Sequence, residues 1–299
     1  MVPGTGVCRG ARFAERSPLT CLGIRVEPIM VQVTRGGVVE AVHRVHVATT
    51  DGESYGDPEL VCYLRSSSKP IQAIPFLEGY ADLDDDELAI ACASHRAEPA
   101  QLAAVRKVLA RAGAGIDDLE NGPQEDRPDG KLGNNCSGKH AGMLAACRAH
   151  GWPLHPYRDP GHPLQQQIAH LIGPHSRVGV DGCGVPTFAV TLSQAAALLT
   201  RTPQRIRRAM QARPELIGAS SGAVDTDLMR RGGWIAKGGA EGLFCAAADD
   251  GRGIALKAED GAYRAIGPAL GRLLDIDAFL ETPVTNTRGE LVGVIRLVA

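Results

Sequence analysis

Residues 65–70 read Arg-Ser-Ser-Ser-Lys-Pro, with Ser66 and Lys69 three positions apart. On a helix that spacing places a hydroxyl and an amine on one face. Pro70 locates the helix, because a residue without an N–H is tolerated only in the first turn. Ser66 then sits at the positive end of the helix dipole, where developing negative charge is favoured. Serine is a weak nucleophile until a base takes its proton, and a desolvated lysine can do so near neutral pH. The same letters also describe a plain Ser-rich helix cap with no chemistry attached.

Outward from this stretch, the spacing of apolar residues predicts helices over 66–80, 86–93, 99–112, 137–150, 162–172, 187–200 and 203–212. Before it, alternating runs at 31–34 and 38–47 flank Gly36–Gly37 and read as a β-hairpin. After the helical middle, 234–237, 242–248, 253–257 and 290–298 read as strands, with a helix near 262–280. Residues 114–135 form a long Gly-, Asp-, Pro- and Asn-rich loop of the kind that lines sites. The expected fold is therefore α+β, with an antiparallel sheet formed from both chain ends, helices packed on it and a mainly helical middle region.

Two further constellations carry possible chemistry. CASHRAEP (92–99) places Ser94 and His95 on a connection between helices, and WIAKGGAEG (234–242) ends a strand with Lys237 before Gly238–Gly239. Glycines there admit a close backbone or ligand. The bland readings are a helix cap, a surface histidine and an edge-strand lysine. Lys-Gly-Gly after a strand is similar to the Lys-Thr-Gly strand that faces a Ser-x-x-Lys helix in serine β-lactamases and penicillin-binding proteins. In NNCSGKHAGM (134–143), Cys136 and Lys139 are again three apart, and VDGCGVP (180–186) turns tightly around Cys183. Two thiolates, a nitrogen and a water would suit zinc, whereas spacing alone favours buried structural cysteines.

Composition bounds the function classes. The 299 residues carry a net charge of −2, which offers no nucleic-acid groove or acidic-membrane surface. Only six of the 32 basic residues are lysines, which raises interest in each, since lysine can be neutralised by burial and arginine cannot. The eight cysteines show no CxxC pair, so a reducing, cytoplasmic setting is the simpler reading. No apolar run reaches the ~18 residues of a membrane span. Residues 1–30 are Arg-rich and aperiodic and read as a disordered leader or an over-extended start, with one domain over 31–299.

Taken in order, RSSSKPIQ, CASH-x-x-EP, NNCSGKHAGM, VDGCGVP, AKGGAEG and NTRGELVG resemble the rhizobial-type (class 3) L-asparaginases of the asparaginase II family over about residues 31–298. The resemblance implies a serine β-lactamase/glutaminase-like fold, a homodimer and hydrolysis of L-asparagine to L-aspartate and ammonia. It implies two Ser/Lys tandems, Ser66 with Lys69 and Ser94 with Lys237, and Ser66 as nucleophile. It also implies Arg65, His95 and Asp181 around the substrate, and Cys136, Lys139 and Cys183 as ligands of a zinc that aids substrate binding. One departure stands out: the family has a small residue then Gly after the histidine of CASH, where this chain has Arg96–Ala97. Rival expectations are a glutaminase or β-lactam hydrolase on the same scaffold, zinc-driven hydrolysis, and a non-catalytic zinc-binding protein.

Overall fold

The computed structural model describes residues 26–127 and 129–298. Its larger sheet has eight strands: β1 (Ile29–Arg35), β2 (Val38–Thr49), β3 (Ser54–Tyr55), β7 (Trp234–Gly238), β8 (Leu243–Ala248), β9 (Gly253–Ala258), β10 (Glu281–Thr285) and β11 (Leu291–Leu297). A smaller sheet joins β4 (Val61–Tyr63), β5 (Arg177–Val180) and β6 (Pro186–Thr191). The larger sheet runs β10-β11-β1-β2-β9-β8-β7, with β3 on β2, and its ladders are antiparallel. The two chain ends meet where Val31 pairs with Leu297, so the sheet expected from both ends is present.

Burial follows from position in that sheet. β1 alternates buried and half-buried residues along its first six positions, as a strand with one covered face does. β8 is buried at each of its positions, Leu-Phe-Cys-Ala-Ala-Ala. Small alanines there let helices close in, and the Leu192–Leu198 helix comes so near β9 that a Cβ on Gly253 would meet Ala196 O at 2.1 Å. The helices Asp85–Ala91, Pro99–Ala112 and Ser137–His150 pack together as the helical middle.

Several expectations need correction. The first strand starts at Ile29, inside the expected leader; the part of the leader reading that covers residues 1–25 lies outside the described residues. The helix expected over 187–200 is a strand, β6, followed by a helix from Leu192. An apolar run of that length cannot be told from a buried helix by period alone, and its β-branched residues were the contrary signal. The helix expected over 66–80 breaks into a 3₁₀ turn, Arg65–Ser68, and two short helices, Lys69–Gln72 and Ile74–Gly79. Pro70 and Pro75 each open a new helix because neither has an N–H to continue the preceding one.

Candidate active site

The 3₁₀ turn Arg65–Ser68 lies against the end of β7, and Ser67 Oγ donates to Lys237 O at 3.1 Å. The approach needs glycine at 239, where a Cβ would lie 2.8 Å from Ser67 Oγ and 3.2 Å from Leu64 O. Ser68 Oγ donates to Arg65 O at 2.8 Å. With Ser67 and Ser68 committed to the fold, Ser66 is the serine of the three that lines the cavity. The residue before it, Arg65, has φ of 46°, a left-handed conformation that costs a non-glycine residue about 1–3 kcal/mol. Thr187 Oγ1, which accepts from Arg65 N at 3.0 Å, and Asp181, whose Oδ1 accepts from Arg65 Nε at 2.5 Å, hold it there.

A cavity of about 440 Å³ opens over this turn, lined by Ser66, Ser94, Asn135, Asp225, Lys237 and neighbouring residues. Lys69 is wholly buried beneath it and donates to Ala93 O at 2.5 Å, Ser94 Oγ at 3.0 Å and Asn135 O at 3.4 Å. Burial lowers its pKa, and the Lys139 and Lys237 charges add to that effect. Lys237 donates to Gly238 O at 2.7 Å and pairs with the buried Asp225 carboxylate at 3.5 Å. The expected tandems therefore cross over: Lys69 is bonded to Ser94, and Lys237 to Asp225 rather than to Ser94. Lys69 Nζ donates its hydrogen bonds to Ala93 O, Ser94 Oγ and Asn135 O, and none goes to Ser66 Oγ three residues before it. Asp225 was not singled out from the sequence, where an acidic residue in the first turn of the helix Val224–Arg230 looks like a dipole partner.

His95 also departs from expectation. It is fully buried, absent from the cavity lining, and both ring nitrogens serve the fold. Ser137 Oγ donates to Leu132 O, so it accepts from His95 Nε2–H at 2.8 Å, while His95 Nδ1 accepts from Ala97 N at 3.1 Å. Burial, aided by Lys69 and Arg127, pushes its pKa down to about 3, so the ring is neutral. It sets the loop that carries Ser94 and Arg96.

Cys136, Lys139 and Cys183 do converge, all buried. Lys139 Nζ donates to Cys183 Sγ at 2.9 Å, and Cys183 hydrogen-bonds Cys136. That hydrogen bond holds the Cys136 pKa well below the usual thiol value and raises that of Cys183. Burial opposes the Lys139 charge, but the two sulfurs and Asp181 outweigh it and raise its pKa. For Asp181, burial is offset by Lys139 and Arg65, and its carboxyl stays below the usual range. Among the described residues no three His, Cys, Asp or Glu side chains are grouped to hold a metal ion, so a metal here would need Lys139 as its third ligand. Two adjoining thiols and an amine fit zinc, which prefers soft sulfur and nitrogen donors in a four-coordinate shell. The other four cysteines among the described residues (62, 92, 147, 245) are free and buried, as expected of core residues.

A family profile described as L-asparaginase II matches residues 31–297, which takes in the cavity, both lysines and the cysteine pair. The chain belongs to the L-asparaginase II family. Membership places its chemistry among the amidohydrolases and agrees with the serine β-lactamase/glutaminase-like, antiparallel α+β architecture. No curated protein matches the sequence. Among solved structures it is similar to a candidate β-lactamase from Bacteroides dorei, at 14% identity and a TM-score of 0.39, over 84% of this chain and 94% of that one. Among the described residues no helix is long and apolar enough to cross a membrane.

Proposed function

We propose that this family member hydrolyses the side-chain amide of L-asparagine to L-aspartate and ammonia, with Ser66 as nucleophile and Lys69 as its base. The observation that carries the reading is Lys69, a fully buried amine with a lowered pKa, bonded to the Ser94 hydroxyl at 3.0 Å under a cavity that Ser66 shares. None of its hydrogen-bond partners is a carboxylate, and burial outweighs the Cys136 and Cys183 sulfurs that favour the ammonium. Ser66 attacks the amide carbon, and its proton reaches Lys69 through Ser94. Ser66 and Ala240 both line the cavity, and their backbone N–H groups serve the oxyanion in this reading. One such donor is typically worth ~3–4 kcal/mol. Ammonia departs with the proton returned by Ser94, and water then releases aspartate by the same relay.

Lys237, held by Asp225 at 3.5 Å, supplies a fixed hydrogen-bond donor beside the reacting groups. Arg65 and Asp181 hold the α-carboxylate and α-ammonium of the substrate, as their half-buried ion pair of opposite charges suits a zwitterion. Cys136, Lys139 and Cys183 would hold zinc, whose contribution when bound is to order the Asp181 side of the substrate site. The same proposal includes a homodimer, for which the exposed Val39 and Val42 on one face of β2 offer an apolar contact, and a reducing cytoplasm suited to free cysteines.

Ammonia release from L-asparagine and L-glutamine, measured side by side with and without a zinc chelator, tests the reading. Release from asparagine that persists at saturating substrate after chelation is the expected result. Release from glutamine instead would move the assignment to a glutaminase. Ser66→Ala should lower turnover by about a thousandfold or more with the fold intact; near-normal turnover would remove Ser66 from the chemistry.

A further inference from the structure

The cavity holds two arginines that hydrolysis of a plain amide leaves unused, Arg96 and Arg264. Its one lining carboxylate, Asp225, is already engaged by Lys237. Neither arginine has a carboxylate partner among the described residues. Arg264 is nonetheless built into place. Its Nε donates to His43 Nε2 at 3.1 Å, and the buried His43 is fixed in turn by Asp260 Oδ2, which accepts from its Nδ1 at 2.6 Å. Among the described residues neither Nη group of the Arg264 fork has a hydrogen-bond partner, the arrangement that recognises a carboxylate in bidentate fashion.

Arg96 is positioned through its backbone. Its N–H donates to Gln101 Oε1 at 2.9 Å, the next residue is tied to His95, and Glu98 N also donates to Gln101 Oε1 at 3.0 Å. These bonds fix the loop backbone, and Arg96 is exposed on it. A volume of about 440 Å³ is that of a pocket for drug-sized ligands, well beyond the needs of one small amino acid.

We infer that the site takes β-amides of aspartate whose amide nitrogen bears an acidic substituent, that is, β-aspartyl peptides with an acidic second residue. The inference rests on the serine–lysine amidase reading above, in which the aspartyl end lies toward Arg65 and Asp181. The leaving amine then extends into the cavity, and its carboxylates meet Arg96 and Arg264. The chemistry is the same hydrolysis: the C–N bond breaks, water supplies hydroxyl to the acyl carbon and a proton to the nitrogen, and no redox partner is involved.

The test compares kcat/KM for β-L-aspartyl-L-glutamate, β-L-aspartyl-L-glutamine, β-L-aspartyl-L-lysine and L-asparagine. The glutamate peptide should exceed the glutamine peptide by about tenfold, mostly through KM, and the ratio should shrink as salt shortens the Debye length. Arg264→Glu, and separately Arg96→Glu, should invert the preference toward the lysine peptide, a gain that misfolding cannot produce. Hydrolysis of L-asparagine with no preference among the peptides, or with a preference that both variants leave unchanged, overturns the inference alone. No turnover of any of the four overturns both it and the amidase reading.

Discussion

Ala97 shows how one side chain registers a departure from the family pattern. It has φ of 62°, the left-handed region that glycine enters without strain, and it stands where the resemblance to the family implies Gly. Its N–H bond to His95 Nδ1 holds it there despite its Cβ. Ala97→Gly should therefore raise stability by about 1 kcal/mol, read as an upward shift of the urea midpoint at unchanged m-value. A drop in stability would show that the left-handed conformation is not maintained in solution. The sequence contained the signal at this position, because the glycine expected there implies a backbone requirement; the φ value supplies the reason.

The site is assembled where short elements meet. The 3₁₀ turn Arg65–Ser68, the end of β7 and the loop after the helix Asp85–Ala91 contribute Ser66, Lys237 and Ser94 respectively. The helix Ser137–His150 closes the back of this assembly, and it packs so tightly on Asp85–Ala91 that a Cβ at Gly138 would lie 2.2 Å from Ile90 O. The obstacle is backbone and cannot rotate away. Gly138→Ala should cost about 1–3 kcal/mol and displace Lys139 and Ser94 together, visible as a lower thermal midpoint with reduced turnover. Unchanged stability would mean the two helices are not in this contact.

At the scale of the molecule, the buried charges make stability depend on pH. His95 is neutral in the fold with a pKa of about 3, against an ordinary value of 6.5. Its folded pKa is lowered, so below the ordinary value the unfolded chain binds a proton that the native chain does not. Stability is thus lost as pH falls from about 6.5 toward about 3, by about 2 kcal/mol at pH 5. Urea titrations at pH 7 and pH 5 read the slope directly, and His95→Gln should flatten it. Lys69 has the matching consequence on the alkaline side. Its lowered folded pKa makes stability rise with pH up to the ordinary lysine value.

Much of the molecule was legible in its sequence. The hairpin around Gly36–Gly37, the helices Pro99–Ala112 and Ser137–His150, and the strands near Lys237 follow from local period and turn chemistry. So did the residue types on which the proposed site rests, because rare lysines beside serines and cysteines can be read one stretch at a time. Tertiary structure alone decided which of them touch. It gave Lys69 to Ser94, Lys237 to Asp225, and Arg264 to a cavity it shares with the distant Ser66, Ser94 and Asn135. It also buried His95 behind its loop and made β6 a strand by pairing it on both sides. The reason is physical: spacing fixes which face of an element a side chain occupies, while contact, burial and the resulting pKa shifts depend on what the rest of the chain packs against that face.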